Sequence, residues 1–264
     1  MDLILKDKIV FISGSTSGIG FATAKLFAKE GASVILNGRT ETVVSKAVEA
    51  IKSEIIGSKV TGIAADFSKA DSVNKLIKKL HSVDILINNV GVFASQSLYD
   101  TTDEDWLRMF EINVMSGVRL SRVLLPKMLQ KKWGRIIFVS SECAQLVPSD
   151  MLAYSTTKAA LHAVSRGLAA YTKGTEVTVN TVMPGSTLSE GAEIFLEDAA
   201  RKANVSKETV ASAFFKNVRT TSLLQRFLSV EEVASTIVYL CSEQAVGTNG
   251  STVKIDGGST GGIF

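Results

Sequence analysis

The chain has 264 residues, 45% hydrophobic and 21% charged, with a formal net charge of +3; that is enough apolar material for one substantial core, and one α/β domain is expected. Lys and Arg are scattered among Asp and Glu with no basic block to follow a nucleic-acid backbone, and residues 1–8 hold only a short apolar run, far below the roughly 18 residues a membrane span needs. The two cysteines (Cys143, Cys241) and two histidines (His81, His162) lack metal-ligand spacing, so the expectations are no nucleic acid, no membrane, no metal and a cytoplasmic location.

Along the chain, short apolar runs alternate with longer amphipathic stretches, the pattern of strand-helix-strand units around a parallel sheet. Buried strands are predicted over 8–13, 33–37, 59–64, 84–88, 135–140, 176–182 and 252–255, with helices between them. The first strand runs into Ser13-Gly14-Ser15-Thr16-Ser17-Gly18-Ile19-Gly20, which opens a helix over 19–30. Glycines there leave backbone N–H groups at a helix N-terminus free to meet a pyrophosphate. Segment 186–225 breaks the rhythm with Phe195, Leu196, Phe214, Phe215, Leu223 and Leu224 among charged residues. It reads as short amphipathic helices, either a surface hairpin or a lid over a substrate. No repeat or linker divides the chain, and the tail over 259–264 carries no readable motif.

Tyr154 and Lys158 lie thirteen and seventeen residues after Ser141, and at i and i+4 they share one helix face. An adjacent ammonium and the positive nicotinamide of an oxidised dinucleotide would both favour tyrosinate and lower the tyrosine pKa, at about 1.36 kcal/mol for each pH unit. Tyr154 is therefore the expected proton donor and acceptor. Ser141 would hold a carbonyl or alkoxide oxygen. Ser140 competes with Ser141 for that role; spacing favours Ser141, with Ser140 completing the strand through its backbone. His162 and Cys143 are assigned structural or pocket-lining roles, and Trp106, Phe110 and Pro126 are expected to pack the long helical region.

These motifs together resemble the short-chain dehydrogenase/reductase family over nearly the whole length, including members similar to 3-oxoacyl-carrier-protein reductases and gluconate dehydrogenases. Residues 13–20 resemble its Thr-Gly-x-x-x-Gly-x-Gly loop with Ser13 for Thr, and Asn88-Asn89-Val90-Gly91 resembles Asn-Asn-Ala-Gly with Val90 for Ala. Asn180 with Pro184-Gly185 resembles Asn-x-x-x-Pro-Gly, Ser189 stands for a common Thr, and 255–258 resembles the closing segment. The resemblance implies a single-domain, doubly wound Rossmann fold with a seven-stranded parallel sheet, helices on both faces and a small helical lid. It implies a catalytic group of Asn113, Ser141, Tyr154 and Lys158, with Asn113 supporting Lys158 and a relay water. It also implies cofactor contacts from Gly14 to Gly20, from Asp66 and Phe67 beside the adenine, from Asn89, Val90 and Gly91, from Tyr154 and Lys158, and from Pro184, Gly185 and Thr187. The implied assembly is a homotetramer.

After the second strand, Asn37-Gly38-Arg39 offers no carboxylate for the ribose 2′-hydroxyl of NAD, and Arg39 supplies a planar cation suited to a 2′-phosphate. NADP(H) is expected over NAD(H), although Arg39 also reads as a solvated loop cation. The substrate pocket should draw on 92–96, 142–151, 183–187 and the lid. Those first three segments hold no arginine cluster, so a neutral or modestly polar ketone or secondary alcohol is expected, with Glu142 and Gln145 as candidates for recognising hydroxyls. Lys127, Lys131, Lys132 and Arg135 read either as a docking patch for an acidic carrier protein or as a solvated helix end. Ala159, Ala160, Ala163, Gly167, Ala169 and Ala170 permit close helix contact within or between subunits. The function reads as NAD(P)-dependent oxidoreduction, first of a 3-oxoacyl-type carbonyl, alternatively of a sugar acid or polyol. A non-catalytic dinucleotide-binding regulator is the reading from another class.

Overall fold

The computed structural model describes residues 2–262, so Met1 and the last two residues of the 259–264 tail fall outside the described residues. The chain runs β1 (Ile9–Ile12), α1 (Gly18–Lys29), β2 (Ser33–Gly38), α2 (Glu41–Glu54), β3 (Lys59–Ala64), α3 (Ala70–Lys79) and β4 (Ile85–Asn88). It continues through α4 (Asp103–Phe110), a π-helical turn (Glu111–Met115), α5 (Ser116–Lys131), β5 (Trp133–Val139), α6 (Cys143–Leu146), α7 (Leu152–Ala169) and β6 (Glu176–Pro184). It closes with β7 (Thr187–Leu188), α8 (Glu190–Ala203), α9 (Lys207–Asn217), β8 (Leu228–Ser229), α10 (Val230–Leu240) and β9 (Thr252–Ile255).

The main sheet has seven parallel strands in the order β3-β2-β1-β4-β5-β6-β9. Strand order reverses between β1 and β4, and a parallel sheet binds ligands beyond the carboxyl ends at such a crevice. Alternation along β1 shows why both faces are covered: Val10 and Ile12 join a core with Phe27, Ile51 and Ile237, whereas Phe11 joins another with Leu86, Leu124, Phe138 and Leu161. The fold is thus the single doubly wound Rossmann-like layer expected from the sequence.

Three readings change. The edge strands β3 and β9 are only partly buried, because each has a neighbour on one side only. The 84–88 strand begins one residue later, since the Asp84 carboxylate accepts from the Ile9 N–H at 2.9 Å and pairs with Lys131. Phe110 and Pro126 are exposed and Trp106 is half-buried, so only part of that trio packs inside. The 186–225 insertion forms α8 and α9, and a parallel pair the sequence does not signal, β7 with β8, bolts its base. Phe214, Phe215 and Phe227 pack ring to ring at 5.0–5.2 Å and give it a small core of its own. No described helix is long and apolar enough to cross a membrane.

Candidate active site

Side chains from both strands tie the glycine loop to the switch point. The Ser13 hydroxyl accepts from the Asn89 and Val90 N–H groups at 3.0 and 3.1 Å and donates to the Ile87 carbonyl at 3.3 Å. Asn89 Nδ2 donates to the Ser13 and Gly14 carbonyls at 3.1 and 2.7 Å, and Asn37 Oδ1 accepts from the Gly14 N–H at 3.1 Å. Ser15 turns inward: its hydroxyl bonds the Ile12 carbonyl and its N–H the Asn37 carbonyl, both at 2.8 Å. Gly14 and Gly18 have φ of +61° and +56°, which β-carbons disfavour. A Cβ on Gly20 would lie 2.5 Å from both Asn89 Nδ2 and the Gly14 carbonyl, so the loop closes on α1 only with glycine there. Ser17 starts α1 with no side-chain cap, leaving the first N–H groups for an anion.

In front of the loop lies a cavity of about 340 Å³ lined by Gly14, Thr16, Ser17, Gly38, Arg39, Asp66, Phe67, Val90, Gly91 and Arg108, among others. Ser68 donates its hydroxyl and N–H to the Asp66 carboxyl and holds it below the usual carboxylate range. Arg108, from α4, was not anticipated, because nothing in its neighbourhood marks it and only the fold brings it there. The groups fit a dinucleotide: a glycine cradle, an uncapped helix start, and Arg39 on the rim.

The second cluster sits where β5 ends and α7 begins. Tyr154 is half-buried and Lys158 is 4% exposed. The Ser141 hydroxyl lies next to the Tyr154 phenol, lowering its proton affinity, and accepts from the Cys143 N–H at 3.2 Å. Lys158 Nζ donates to the Val139 carbonyl at 2.9 Å and stands 5.6 Å from the Tyr154 ring centroid. Asn113 lies in the π-helical turn, a distortion common at functional sites, and its amide grips the Val92 N–H and carbonyl and the Thr157 hydroxyl. Its side chain thus locks the segment after β4 to α7. Ser140 takes the structural part: its N–H joins the Val182 carbonyl, while its hydroxyl bonds the Lys158 carbonyl and His162 Nε2. His162 bridges on to Thr252.

Without a cofactor's positive charge, the Tyr154 shift runs upward. Burial pushes the Tyr154 phenol well above its usual range, and Cys143 and Glu142 add to this against the Ser141 hydrogen bond. The protein alone therefore holds Tyr154 as the neutral phenol, not as tyrosinate. Burial also lowers Lys158 to about 8. The ammonium donates to the Val139 carbonyl, and desolvation is the dominant influence on the phenol.

Pro184 ends β6 and its carbonyl accepts from the Glu142 N–H, Gly185 packs on the Asp256 backbone, and Thr187 bonds the Gly185 carbonyl. Glu142 is 3% exposed and its carboxylate is held by Arg219 and Ser186, so it presents no open hydroxyl-binding group. Phe93, 71% exposed, stands edge-on to Tyr154 at 6.2 Å as an outer wall. The basic group of Lys127, Lys131 and Arg135 lies at the opposite, amino end of β5. Arg135 is 1% exposed there and bonded to the Glu176 and Ser242 carbonyls, so it adds nothing to a docking surface, while Lys131 and Lys132 are exposed at the end of α5.

A family model described as short chain dehydrogenase matches residues 8–200. The chain belongs to this family of oxidoreductases, which interconvert CH–OH and C=O groups. It is 47% identical over 261 residues to the uncharacterized oxidoreductase YvrD of Bacillus subtilis (strain 168), with 98% of each chain covered. It is 29% identical over 262 residues to the 3-oxoacyl-[acyl-carrier-protein] reductase FabG of Aquifex aeolicus, covering 98% of this chain and 99% of that one. The crystal structure of L-sorbose reductase from Gluconobacter frateurii complexed with NADPH and L-sorbose superposes with a TM-score of 0.94 at 31% identity over 100% of both chains.

Proposed function

We propose that the chain is an NADPH-dependent carbonyl reductase acting on a small free ketone, with Ser141, Tyr154 and Lys158 as its catalytic residues. The observation that carries this reading is a contact between the two clusters. Gly91 lines the dinucleotide cavity, and a Cβ there would lie 3.2 Å from Lys158 Nζ, so cofactor groove and reacting groups are one continuous site. Bound in that groove, the nicotinamide supplies hydride at C4. Ser141 orients the carbonyl oxygen, Tyr154 delivers the proton from its neutral phenol, and the Lys158 ammonium stabilises the charge left behind. Asn113 ties the segment after β4 to α7, which carries Tyr154 and Lys158. The neutral phenol is the form that reduction uses as its acid.

A polyhydroxylated ketone, with the reverse polyol oxidation, is favoured over a carrier-bound 3-oxoacyl group, because Lys127, Lys131 and Arg135 are engaged at the amino end of β5, away from the site, and the L-sorbose reductase shares the full fold. The test is NADPH oxidation with L-sorbose, other ketoses, an aromatic ketone and a 3-oxoacyl thioester. Turnover confined to the thioester would reverse the substrate order. NADPH binding with no turnover of any class would favour the regulatory reading.

The insertion is read as a lid: Ser189 at its start packs 3.6 Å from the Cβ position of Gly18 in the glycine loop. NADPH is expected to slow proteolytic cleavage within 190–217 several-fold, and equal cleavage with and without it would count against closure.

Self-association is supported by the α7 stripe. Ala159, Ala163, Gly167 and Ala170 are exposed, and nothing lies within 4 Å of a Cβ on Gly167. Beside them α5 and α7 form an apolar groove of about 310 Å³ lined by Val118, Leu125, Leu129, Val164, Leu168 and Tyr171. A homotetramer is expected by sedimentation, and Ala163→Arg should reduce it to a smaller species without unfolding. A monomeric wild-type protein would refute this.

A further inference from the structure

Glu142 follows Ser141 directly and is almost wholly buried. Its Oε1 accepts from Arg219 Nε at 2.7 Å and from the Ser186 hydroxyl at 2.8 Å, while Oε2 is buried with no partner. Ser186 precedes α8 and Arg219 follows α9, so both arms of the insertion converge on one oxygen beside the reacting groups. Arg219 is itself held in place, its side chain 12% exposed, 5.7 Å from the centroid of the Phe214 ring and 3.7 Å from Cys143 Sγ. The cation that balances Glu142 is therefore supplied by the insertion and not by the sheet.

We propose that Arg219 is a positioning residue for proton exchange, acting through Glu142: seated, it neutralises the carboxylate beside Ser141 and Tyr154, and displaced, it leaves a bare charge that opposes tyrosinate. The proposal rests on Tyr154 being the proton-exchanging group. A close ion pair acts at a distance as a weak dipole, whereas a lone buried carboxylate acts at full charge through a poorly screening interior. Tyr154 faces the Ser141 hydroxyl, the Cys143 thiol and Glu142 from the segment after β5, Lys158 from its own helix and the uncharged Phe93 ring from the segment after β4. Glu142 is the carboxylate among these groups, and the Cys143 thiol, which burial raises, is the other one able to carry negative charge. The insertion's closure would thus set the proton affinity of the acid as well as cover the substrate.

The test compares Arg219→Met, Arg219→Lys, Glu142→Gln and the Arg219→Met/Glu142→Gln double variant. Tyr154 is titrated by ultraviolet tyrosinate absorbance with NADP⁺ bound, as the difference from the same protein carrying Tyr154→Phe. The pH profile of L-sorbose reduction is measured alongside. Arg219→Met should raise the Tyr154 midpoint by about one pH unit, a roughly tenfold smaller tyrosinate fraction at a given pH below it. The double variant should return the midpoint to the wild-type value, and Arg219→Lys should leave it in place. An unmoved midpoint in Arg219→Met, or a double variant no different from it, would overturn the proposal and leave a plain structural clamp. If Arg219→Met does not fold, Glu142→Gln alone decides, since it should lower the midpoint, and no change sinks the idea. Full activity in Tyr154→Phe would instead remove the catalytic reading beneath it.

Discussion

Tyr154→Phe is expected to lower ketone turnover with NADPH by about 10²–10⁴-fold while leaving NADPH affinity within about twofold, because it deletes the acid and keeps the ring. The ring still meets Phe93, so packing is preserved. The companion change, Lys158→Met, should cost comparable activity yet raise stability at neutral pH. Burial lowers Lys158 to about 8, whereas an unfolded lysine titrates near 10.5. The unfolded chain therefore binds the extra proton between those values, so stability rises with pH across that window. Below about pH 8 the penalty is fully present, about 3 kcal/mol at about 1.4 kcal/mol per pH unit. Removing the amine should release most of it, less the hydrogen bond lost to the Val139 carbonyl. The same value sets the rate profile: reduction should hold below about pH 8 and fall up to tenfold per pH unit above, as the ammonium is lost. Thermal unfolding and kcat against pH check both, and a Lys158→Met protein that melts lower than wild type at pH 7 would count against the burial penalty.

What could be read in advance was what depends on local pattern. Apolar runs and the glycine loop specify strands, the crossover and the helix start, because they act through backbone geometry within a few residues. Ser141, Tyr154 and Lys158 could be proposed as a group from their spacing together with the motifs around them. The sign of the Tyr154 shift was not, because desolvation depends on everything packed around the phenol and the sequence names only Lys158 as its neighbour. Glu142 was noticed but misread as an open hydrogen-bonding group, since its partner Arg219 lies 77 residues away inside an irregular insertion. Arg135 looked like part of a surface patch because its neighbours are lysines. Only the register of β5 against β6 places it under the Glu176 and Ser242 carbonyls. The β7–β8 pair has two residues on each side, too short for any periodicity to mark.

Arg39→Ser is expected to lower kcat/KM for NADPH by about 10–100-fold, the value of one or two charge-assisted hydrogen bonds to a 2′-phosphate, with NADH changed less than about threefold. Arg39 is exposed on the rim of the cavity. The neighbouring position makes a sharper test. A Cβ on Gly38 would lie 2.6 Å from Thr16 Cγ2 and 3.1 Å from Val44 Cγ2, so an aspartate cannot enter there without displacing the glycine loop. Gly38→Asp alone should therefore weaken both cofactors, NADPH through repulsion and NADH through a shifted loop. Pairing it with Thr16→Ser removes the clashing methyl and should recover NADH use to beyond the wild-type level, since the carboxylate then meets the ribose 2′-hydroxyl. If Gly38→Asp by itself turned the protein toward NADH, the close packing of Thr16 against Gly38 would not be what excludes an acidic residue. If Arg39→Ser left the NADPH preference intact, the phosphate would have to be held by another cation of the same cavity, and Arg108 is the one within it to replace next.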